Sequence, residues 1–454
     1  MRKGRQYLVI DLKSFYASVE CVDLGLDPMT ARLVVADPAR TASTICLAVS
    51  PAMKALGVRN RCRVFEIPRG IDYVMAHPRM QRYIDRSAEI YRIYLDWFAK
   101  QDIHVYSIDE VFVDVTGYLD LYGCSARELG ERVRGDVVRR TGIPAACGLG
   151  SNLYLAKVAL DIVAKRRADF FGQLDEGSYR ATLWNHRPIT DFWRVGPGIA
   201  RRLAHKGIRT MGELAIASED PVRLEDIYRE FGVDAEILVD HAWGVEPVGM
   251  AEIKAYRSHG RSLSNAQVLG HSVDANSGLL LAKEMAERLA LQLVESRSVA
   301  RSLLVWVGFA PESGSRTPCE RGQVRALEGA ASPSGLASRR GTFSHAAAAF
   351  EAPTSSRHVI LDTLKRLWPY AAAVGWRIKR IGIVLGDVES SDAPGRQLSF
   401  FDVSLSGRRE CRCQQTVGAI KRRYGRNALI KGIDLLPEAN ARERNEQIGG
   451  HRAW

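Results

Sequence analysis

The alternation of apolar and polar positions is clearest at two short runs near the amino terminus and the first quarter of the chain. Tyr7-Leu8-Val9-Ile10 predicts a strand ending in Asp11, and the next residues place Phe15, Val19 and Val22 on one face of a helix with Ser14 as its N-cap. Val105 to Val115 is apolar and β-branched apart from Asp109-Glu110 at its middle, which predicts a buried strand pair. Tyr106 and Ile108 keep even parity whereas Val111, Val113 and Val115 are odd, so the alternation slips by one at the acids and predicts a tight turn or bulge there.

Other elements follow from the same patterns. Residues 26–78 read as a small module with strands Leu33–Val35 and Ser43–Val49 and a helix from Pro51 to Leu56 ended by Gly57. Between 81 and 100, Ile84, Ala88, Tyr91, Leu95 and Phe98 mark the buried face of an amphipathic helix. A helix over 125–140, a strand Ala145–Leu149 and a helix Leu153–Ala164 come next. Phe192 to Ile208 has the form of a helix-hairpin-helix, with Gly196 and Gly198 opening the hairpin, backbone N–H groups at a helix start and Arg201 and Arg202 beside it, though an ordinary helical hairpin has the same outline. After a connector at 245–256 the order is strand to Val268, helix 276–297, strand 302–309, strand 342–350, helix 357–370 and strand 380–386, that is β-α-β-β-α-β. Pro311–Arg340, rich in Gly, Ser, Ala and Arg, is expected to be a mobile loop between its middle strands.

At 454 residues the chain has length for roughly three domains. Its 64 Lys and Arg against 52 Asp and Glu give +12, which favours a polyanionic partner, nucleic acid or a membrane surface, over plain solubility alone. No signal-peptide core follows Met1, and no run approaches the ~18 apolar residues of a membrane span. The eight cysteines have no metal-site spacing, Cys411-x-Cys413 included, and read as reduced and intracellular.

Chemistry enters through the acids. Two adjacent carboxylates converge only at a turn or bulge and then repel unless a cation lies between them. Alone, the hairpin tip would read as a polar turn facing water. Asp11, at the end of a strand where α/β layers tend to bind ligands, is a third acid that completes a divalent-metal set with Asp109 and Glu110.

Asp11-Leu12-Lys13-Ser14-Phe15-Tyr16-Ala17-Ser18-Val19-Glu20, followed by Tyr106-Ser107-Ile108-Asp109-Glu110-Val111-Phe112, resembles the two catalytic motifs of the Y-family DNA polymerases, nearest the UmuC-like branch. The resemblance implies that Asp11, the Leu12 carbonyl, Asp109 and Glu110 hold two Mg²⁺ ions, with Mn²⁺ as an alternative. It implies that Phe15 and Tyr16 lie under the incoming nucleotide, Tyr16 as the steric gate against a 2′-hydroxyl, where residues alone would suggest a core tyrosine. Lys13 departs from the acid or amide of many relatives, at a position that is not a ligand. The fingers helix of many relatives carries a Tyr and an Arg for the triphosphate; Pro51 and Lys54 match them here, and a lysine meets phosphate without the bidentate fork. Gly148-Leu149-Gly150-Ser151-Asn152 resembles the family's Gly-x-Ser-x-Asn segment. Its triphosphate lysine falls on Lys165, with the spacing from Asp161 one residue long and Lys157 as a competitor. Arg257 and Arg261 are expected to meet DNA phosphates, and Gln397-Leu398-Ser399-Phe400-Phe401 resembles a sliding-clamp-binding peptide through Gln397, Leu398, Phe400 and Phe401.

The resemblance thus implies an α+β right-hand polymerase: palm at 1–25 and 79–172, fingers at 26–78, a helical helix-hairpin-helix thumb at 173–245, a linker at 246–256, a little finger at 257–436 and a tail at 437–454. It implies a cytoplasmic translesion and DNA-repair polymerase that takes primer-template DNA and deoxynucleoside triphosphates, with a sliding clamp and accessory repair subunits as further partners and no membrane. Two other classes compete: a non-catalytic DNA- and clamp-binding repair protein, and a palm-fold nucleotide cyclase. Retention of three acids opposes the first, and the hairpin and clamp signals oppose the second.

Overall fold

The computed structural model describes residues 4–37, 41–256, 260, 262–310, 343–372, 375–391 and 405–453. Arg257, Arg261, the loop expected at 311–340 and the peptide 397–401 lie outside these described residues. Two units form, Met1–Arg257 with His451–Trp454, and Ser258–Gly450.

The first unit begins β1 (Tyr7–Leu12), α1 (Phe15–Asp23), β2 (Leu33–Val35), β3 (Ala48–Val49), α2 (Pro51–Ala55), β4 (Val74–Ala76), α3 (Met80–Trp97), β5 (Ile103–Val105) and β6 (Glu110–Asp114). It continues α4 (Leu119–Tyr122), α5 (Ala126–Thr141), β7 (Ala145–Gly150), α6 (Leu153–Val158), β8 (Phe171–Leu174), α7 (Glu176–Leu183), α8 (Pro197–His205), α9 (Met211–Glu219), α10 (Pro221–Phe231), α11 (Asp234–Trp243) and α12 (Met250–Ala255). Its main sheet has the order β5-β6-β1-β7-β8, antiparallel except for β7 beside β8. Alternation along β1 decides the two faces. Tyr7 and Val9 join Phe112, Leu153, Ala156 and Leu160 in one core, so Asp11, two residues on, belongs to the face that α6 covers. The opposite face receives α5, where Gly130 lies against Leu8, Cys147 and Phe171. A capping box between Ser125 and Glu128 starts α5, and Gly142 at φ 70° ends it.

The expected turn is found: β5 and β6 are antiparallel, Val105 opposite Val111, and residues 106–109 carry the chain around. Ser14 takes the N-cap position of α1 but does not cap it; φ 48° turns it away from the helix start. In α3 the buried face differs from the expected one by about one residue. Tyr83, Ile90, Ile93 and Tyr94 are buried, whereas Ile84, Ala88 and Leu95 are exposed. The small three-stranded sheet runs β3-β2-β4, its parallel strand β4 unanticipated, and of Ser43–Val49 only Ala48–Val49 is strand. Helices α7 to α11 share a core built on Tyr179, Phe192, Leu203, Met211, Leu214 and Leu238. The stretch expected as a linker at 246–256 carries α12, whose Met250 is buried in the sheet core and whose Lys254 donates to the Ile103 carbonyl.

The second unit has β9 (Ser262–Val273), α13 (Ala275–Glu295), β10 (Ser298–Phe309), β11 (Phe343–Thr354), α14 (Arg357–Ala371), β12 (Ile378–Gly386), β13 (Glu389–Ser390), α15 (Leu405–Tyr424) and α16 (Ala441–Asn445). The first six give the expected β-α-β-β-α-β order, in a sheet β11-β10-β12-β9. Leu303, Val305, Val307, Ile381, Ile383 and Leu385 alternate inward against α13 and α14. The stretch from 437, expected as a tail, is folded: Glu284 of α13 accepts from the N–H groups of Asn440 and Ala441, and Arg444 donates to Asn265 of β9.

Candidate active site

The antiparallel register of β1 and β6 sets Asp11 directly opposite Glu110, with Val9 opposite Phe112 behind them. Both acids therefore leave the sheet on the face covered by α6. Asp109 precedes the strand, in the turn; its carbonyl accepts from Leu12 N at 2.9 Å and its Oδ1 accepts from Ser107 Oγ at 2.6 Å. The turn is tied to α3 by Ser87 Oγ, which donates to the Ile108 carbonyl at 2.5 Å.

Two glycines let α6 lie on this face. A Cβ on Gly148 would stand 2.2 Å from the Ala156 carbonyl oxygen, and one on Gly150 would stand 2.2 Å from Ala156 N. The expected glycine segment thus serves close helix packing. That contact brings Lys157 to Glu110 Oε2 at 2.8 Å and to Asp161 Oδ2 at 3.0 Å, with both Lys157 and Glu110 buried. After Val158 the helix widens into a π turn over Ala159–Val163 and tightens over Ala164–Arg166. The π turn carries Asp161, and Lys165 beyond it reaches Asp161 Oδ1 at 2.7 Å and Asp11 Oδ2 at 3.8 Å from an exposed position. The two competing lysines are therefore different in kind: Lys157 braces Glu110 from inside, and Lys165 stands at the mouth.

Burial dominates the electrostatics. It pushes the Asp11 carboxyl up to about 6, against the pull of Lys165 and with help from Asp109. It pushes Glu110 up to about 7, against the pull of Lys157. Glu110 Oε1 is buried with no hydrogen-bond partner, an orphan acceptor aimed at a missing donor or cation. The donors are all hard oxygen, the set that suits a small divalent cation. Among the described residues no three acids, histidines or cysteines form a group that could hold a metal ion, and here Glu110 is engaged by Lys157 and Asp109 by Ser107.

Cations crowd the same rim. Lys54 donates to Ser14 Oγ at 2.8 Å, so the Ser14 hydroxyl is engaged by this lysine and not by the start of α1. Burial, and then the charge of Lys165, lowers the Lys54 pKa, while Lys13 is lowered by burial and by Lys54 and Lys165. Lys13, without a role from its position in the motif, thus belongs to a trio of mutually repelling lysines beside the acids; its ammonium also lies 3.5 Å over the Phe170 ring. Tyr16 is half-buried and stacks on Tyr83 of α3 at 4.4 Å between ring centroids, with Phe15 buried beside it. The Tyr83 hydroxyl donates to Glu20 at 2.7 Å, and Arg79 grips Glu20 with two bonds of 3.0 and 2.7 Å. Sequence reading missed Tyr83, Glu20 and Arg79; the one signal was a tyrosine on the wrong side of the apparent apolar stripe.

The hairpin before α8 puts Gly196 at the N-cap of that helix and Gly198 in its first turn. Neither Gly196 nor Gly198 has the positive φ that would demand glycine; Arg194 at 69° and Gly207 at 76° do. What precedes the hairpin is a single turn, Ile189–Asp191. Arg201 is exposed, but Arg202 is engaged, 4.4 Å over the Phe231 ring and donating to the Glu230 carbonyl at 3.2 Å.

Residues 10–161 match the impB/mucB/samB family and residues 261–400 match that family's C-terminal domain. Two relatives from Bacillus subtilis strain 168 align along the whole chain. The putative UV-damage repair protein UvrX is 27% identical over 99% of this chain and 98% of its own length. DNA polymerase IV 2 is 27% identical over 99% of this chain and 100% of its own. A shorter relative from the same organism, the DNA repair protein homolog YozK, is 38% identical over 22% of this chain and 90% of its own. In structure, a Y-family DNA polymerase chimera superposes with a TM-score of 0.60 at 18% identity, covering 85% of this chain and 99% of that one. With the paired acids and their matching motifs, these likenesses show that the chain belongs to the impB/mucB/samB family of Y-family translesion DNA polymerases.

Proposed function

We propose that Asp11, Asp109 and Glu110, with the Leu12 carbonyl, form the nucleotidyl-transfer centre of this translesion DNA polymerase and hold two Mg²⁺ ions there. The observation that carries the assignment is the cross-strand pair Asp11–Glu110 with the orphaned Glu110 Oε1. The family's dependence on a divalent metal fits this all-oxygen donor set. When bound, such ions activate the primer 3′-hydroxyl and neutralise charge on the departing pyrophosphate. The chain's own residues do the rest. Lys165, Lys54 and Lys13 gather the triphosphate, Tyr16 stacks under the sugar with Phe15 behind it, and Lys157 holds Glu110 on the reacting face. Residues 1–25 and 79–172 serve as palm, 26–78 as fingers, 173–245 as thumb and the second unit as little finger. Arg201, Gly196 and Gly198 meet backbone phosphates of the primer-template, joined by Arg257 and Arg261. The polymerase works in the cytoplasm. Gln397, Leu398, Phe400 and Phe401 dock a sliding clamp, and accessory repair subunits complete the assembly.

Primer extension on damaged and undamaged templates tests the assignment. Asp109→Asn and Glu110→Gln should each lower nucleotide addition by roughly 10²-fold or more while primer-template affinity stays within a factor of about two, a tolerance well below the tenfold that 1.4 kcal/mol represents. Extension at the wild-type rate would remove these acids from the centre.

A further inference from the structure

The folded carboxyl-terminal stretch encloses a cavity of about 770 Å³ in the second unit, walled by α13, α15 and the chain from 425 to 445. Small-ligand sites usually measure about 300–1,000 Å³, so a nucleotide-sized molecule fits. One part of the wall is apolar, with Met285, Leu291 and Val417, and another carries Arg288, Arg426 and Arg444. The acids around it are already occupied. Glu287 holds Arg357 at 2.8 Å and Lys431 at 2.5 Å, and Glu295 holds Arg422 at 3.5 Å. Glu410 accepts from Ser356 Oγ at 2.7 Å, and Glu284 accepts from Asn440 N at 3.2 Å and Ala441 N at 3.3 Å.

The arginines are not so satisfied. Arg444 has the neutral Asn265 Oδ1 at 3.1 Å, and among the described residues the side chains of Arg288 and Arg426 make no hydrogen bond or ion pair. Burial, and then the charge of Arg426, lowers the Arg288 pKa, and Arg444 is lowered by burial and by Arg288 against the pull of Glu284. Three like charges converging on one cavity repel one another and add nothing to packing. An anion with several oxygens removes that repulsion, and guanidinium is the group best shaped to meet phosphate bidentately.

We propose that this cavity binds a small phosphate-bearing ligand of nucleotide size, its phosphates among Arg288, Arg426 and Arg444 and its uncharged part against Met285, Leu291 and Val417. The site lies wholly in the second unit and uses none of the residues assigned to nucleotidyl transfer. Its ligand therefore binds independently of the polymerase substrate.

The test uses the full chain in EDTA without DNA, titrated with fluorescently labelled ATP and competed with inorganic tripolyphosphate or with a short single-stranded oligonucleotide. Saturable binding of one equivalent, displaced by tripolyphosphate, is expected. Arg288→Glu/Arg426→Glu should weaken it at least about tenfold, the scale of one lost charge-assisted contact, while Lys54→Ala/Lys165→Ala leaves it unchanged. Should the charge-reversed protein not fold, Arg288→Gln/Arg426→Gln carries the comparison, with a thermal midpoint equal to or above that of the wild type because repulsion is relieved. Basal primer extension stays at the wild-type rate in both arginine variants. Binding that survives loss of both arginines, or that disappears in the lysine variant, overturns the proposal. So does displacement of the labelled ATP by the oligonucleotide but not by tripolyphosphate, which would make the surface a track for a DNA strand.

Discussion

Tyr16 owes its place to α3 as well as to its own helix. Its ring rests on Tyr83, and Tyr83 is fixed by Glu20 and Arg79. If Tyr16 is the gate, Tyr16→Ala should raise ribonucleotide insertion relative to deoxyribonucleotide insertion, and Tyr83→Ala should do so to a smaller extent by letting the ring tilt. Both ratios are read from single-nucleotide insertion in one buffer; an unmoved ratio in Tyr16→Ala returns that residue to the core. The acids give a second expectation. Asp11 rises from 3.8 to about 6 and Glu110 from 4.5 to about 7, so the folded chain keeps protons that the unfolded chain has lost. Their contribution to stability is therefore greatest below about pH 4, falls as pH rises to about 7, and is flat above. A divalent cation that binds the ionised pair should raise the thermal midpoint more at pH 8 than at pH 5, measured against EDTA. Equal gains at both pH values would show that the ion binds elsewhere. Asp11, Asp109 and Glu110 were legible in the sequence because each stands at a strand end or turn within an unusual local pattern. Spacing pointed to Lys157 and Asp161, but the bracing of Glu110 by Lys157 comes only from strand register and helix docking.

Helix α6 and its continuation couple the sheet to the acids. Because Gly148 and Gly150 admit backbone to backbone contact, Gly148→Ala must push the helix outward. We expect a loss of about 1–3 kcal/mol or more in urea unfolding, together with weaker extension as Lys157 moves off Glu110; an unchanged urea midpoint would show that the helix can shift freely. The π turn at Ala159–Val163 carries Asp161 and leads into the tight turn that sets Lys165 at the mouth, 2.7 Å from Asp161 Oδ1. The order β-α-β-β-α-β was readable because its strands alternate cleanly inward and outward. The phase of α3 was not, because Tyr83 and Tyr94 face inward while the aliphatic Ile84 and Leu95 face water. A stripe phased on Ile84 and Leu95 is therefore about one residue out of step with the buried Tyr83, Ile90, Ile93 and Tyr94.

For the whole molecule, the +12 charge and the family assignment imply DNA affinity that depends strongly on salt and little on sequence. Each phosphate contact adds about −0.9 to the slope of log K against log salt on duplex DNA, so several contacts should give several units. Arg201→Ala should reduce that slope by about one, whereas Arg202→Ala should act mainly on stability, since Arg202 lies on Phe231. A slope indifferent to Arg201 would remove it from the phosphate path. The carboxyl-terminal fold was hidden from the sequence because polar pairs hold it, such as Arg444 with Asn265, rather than a periodic apolar face. Residues 451–453 return to the first unit, where Ala453 O accepts from Gln81 N at 2.9 Å. By chain order the second unit is thus an insertion within the first. Exchanging it between relatives requires two seams, near 257 and near 450, and a graft that joins only the first leaves Gln81 without its partner and carries a foreign end into the recipient.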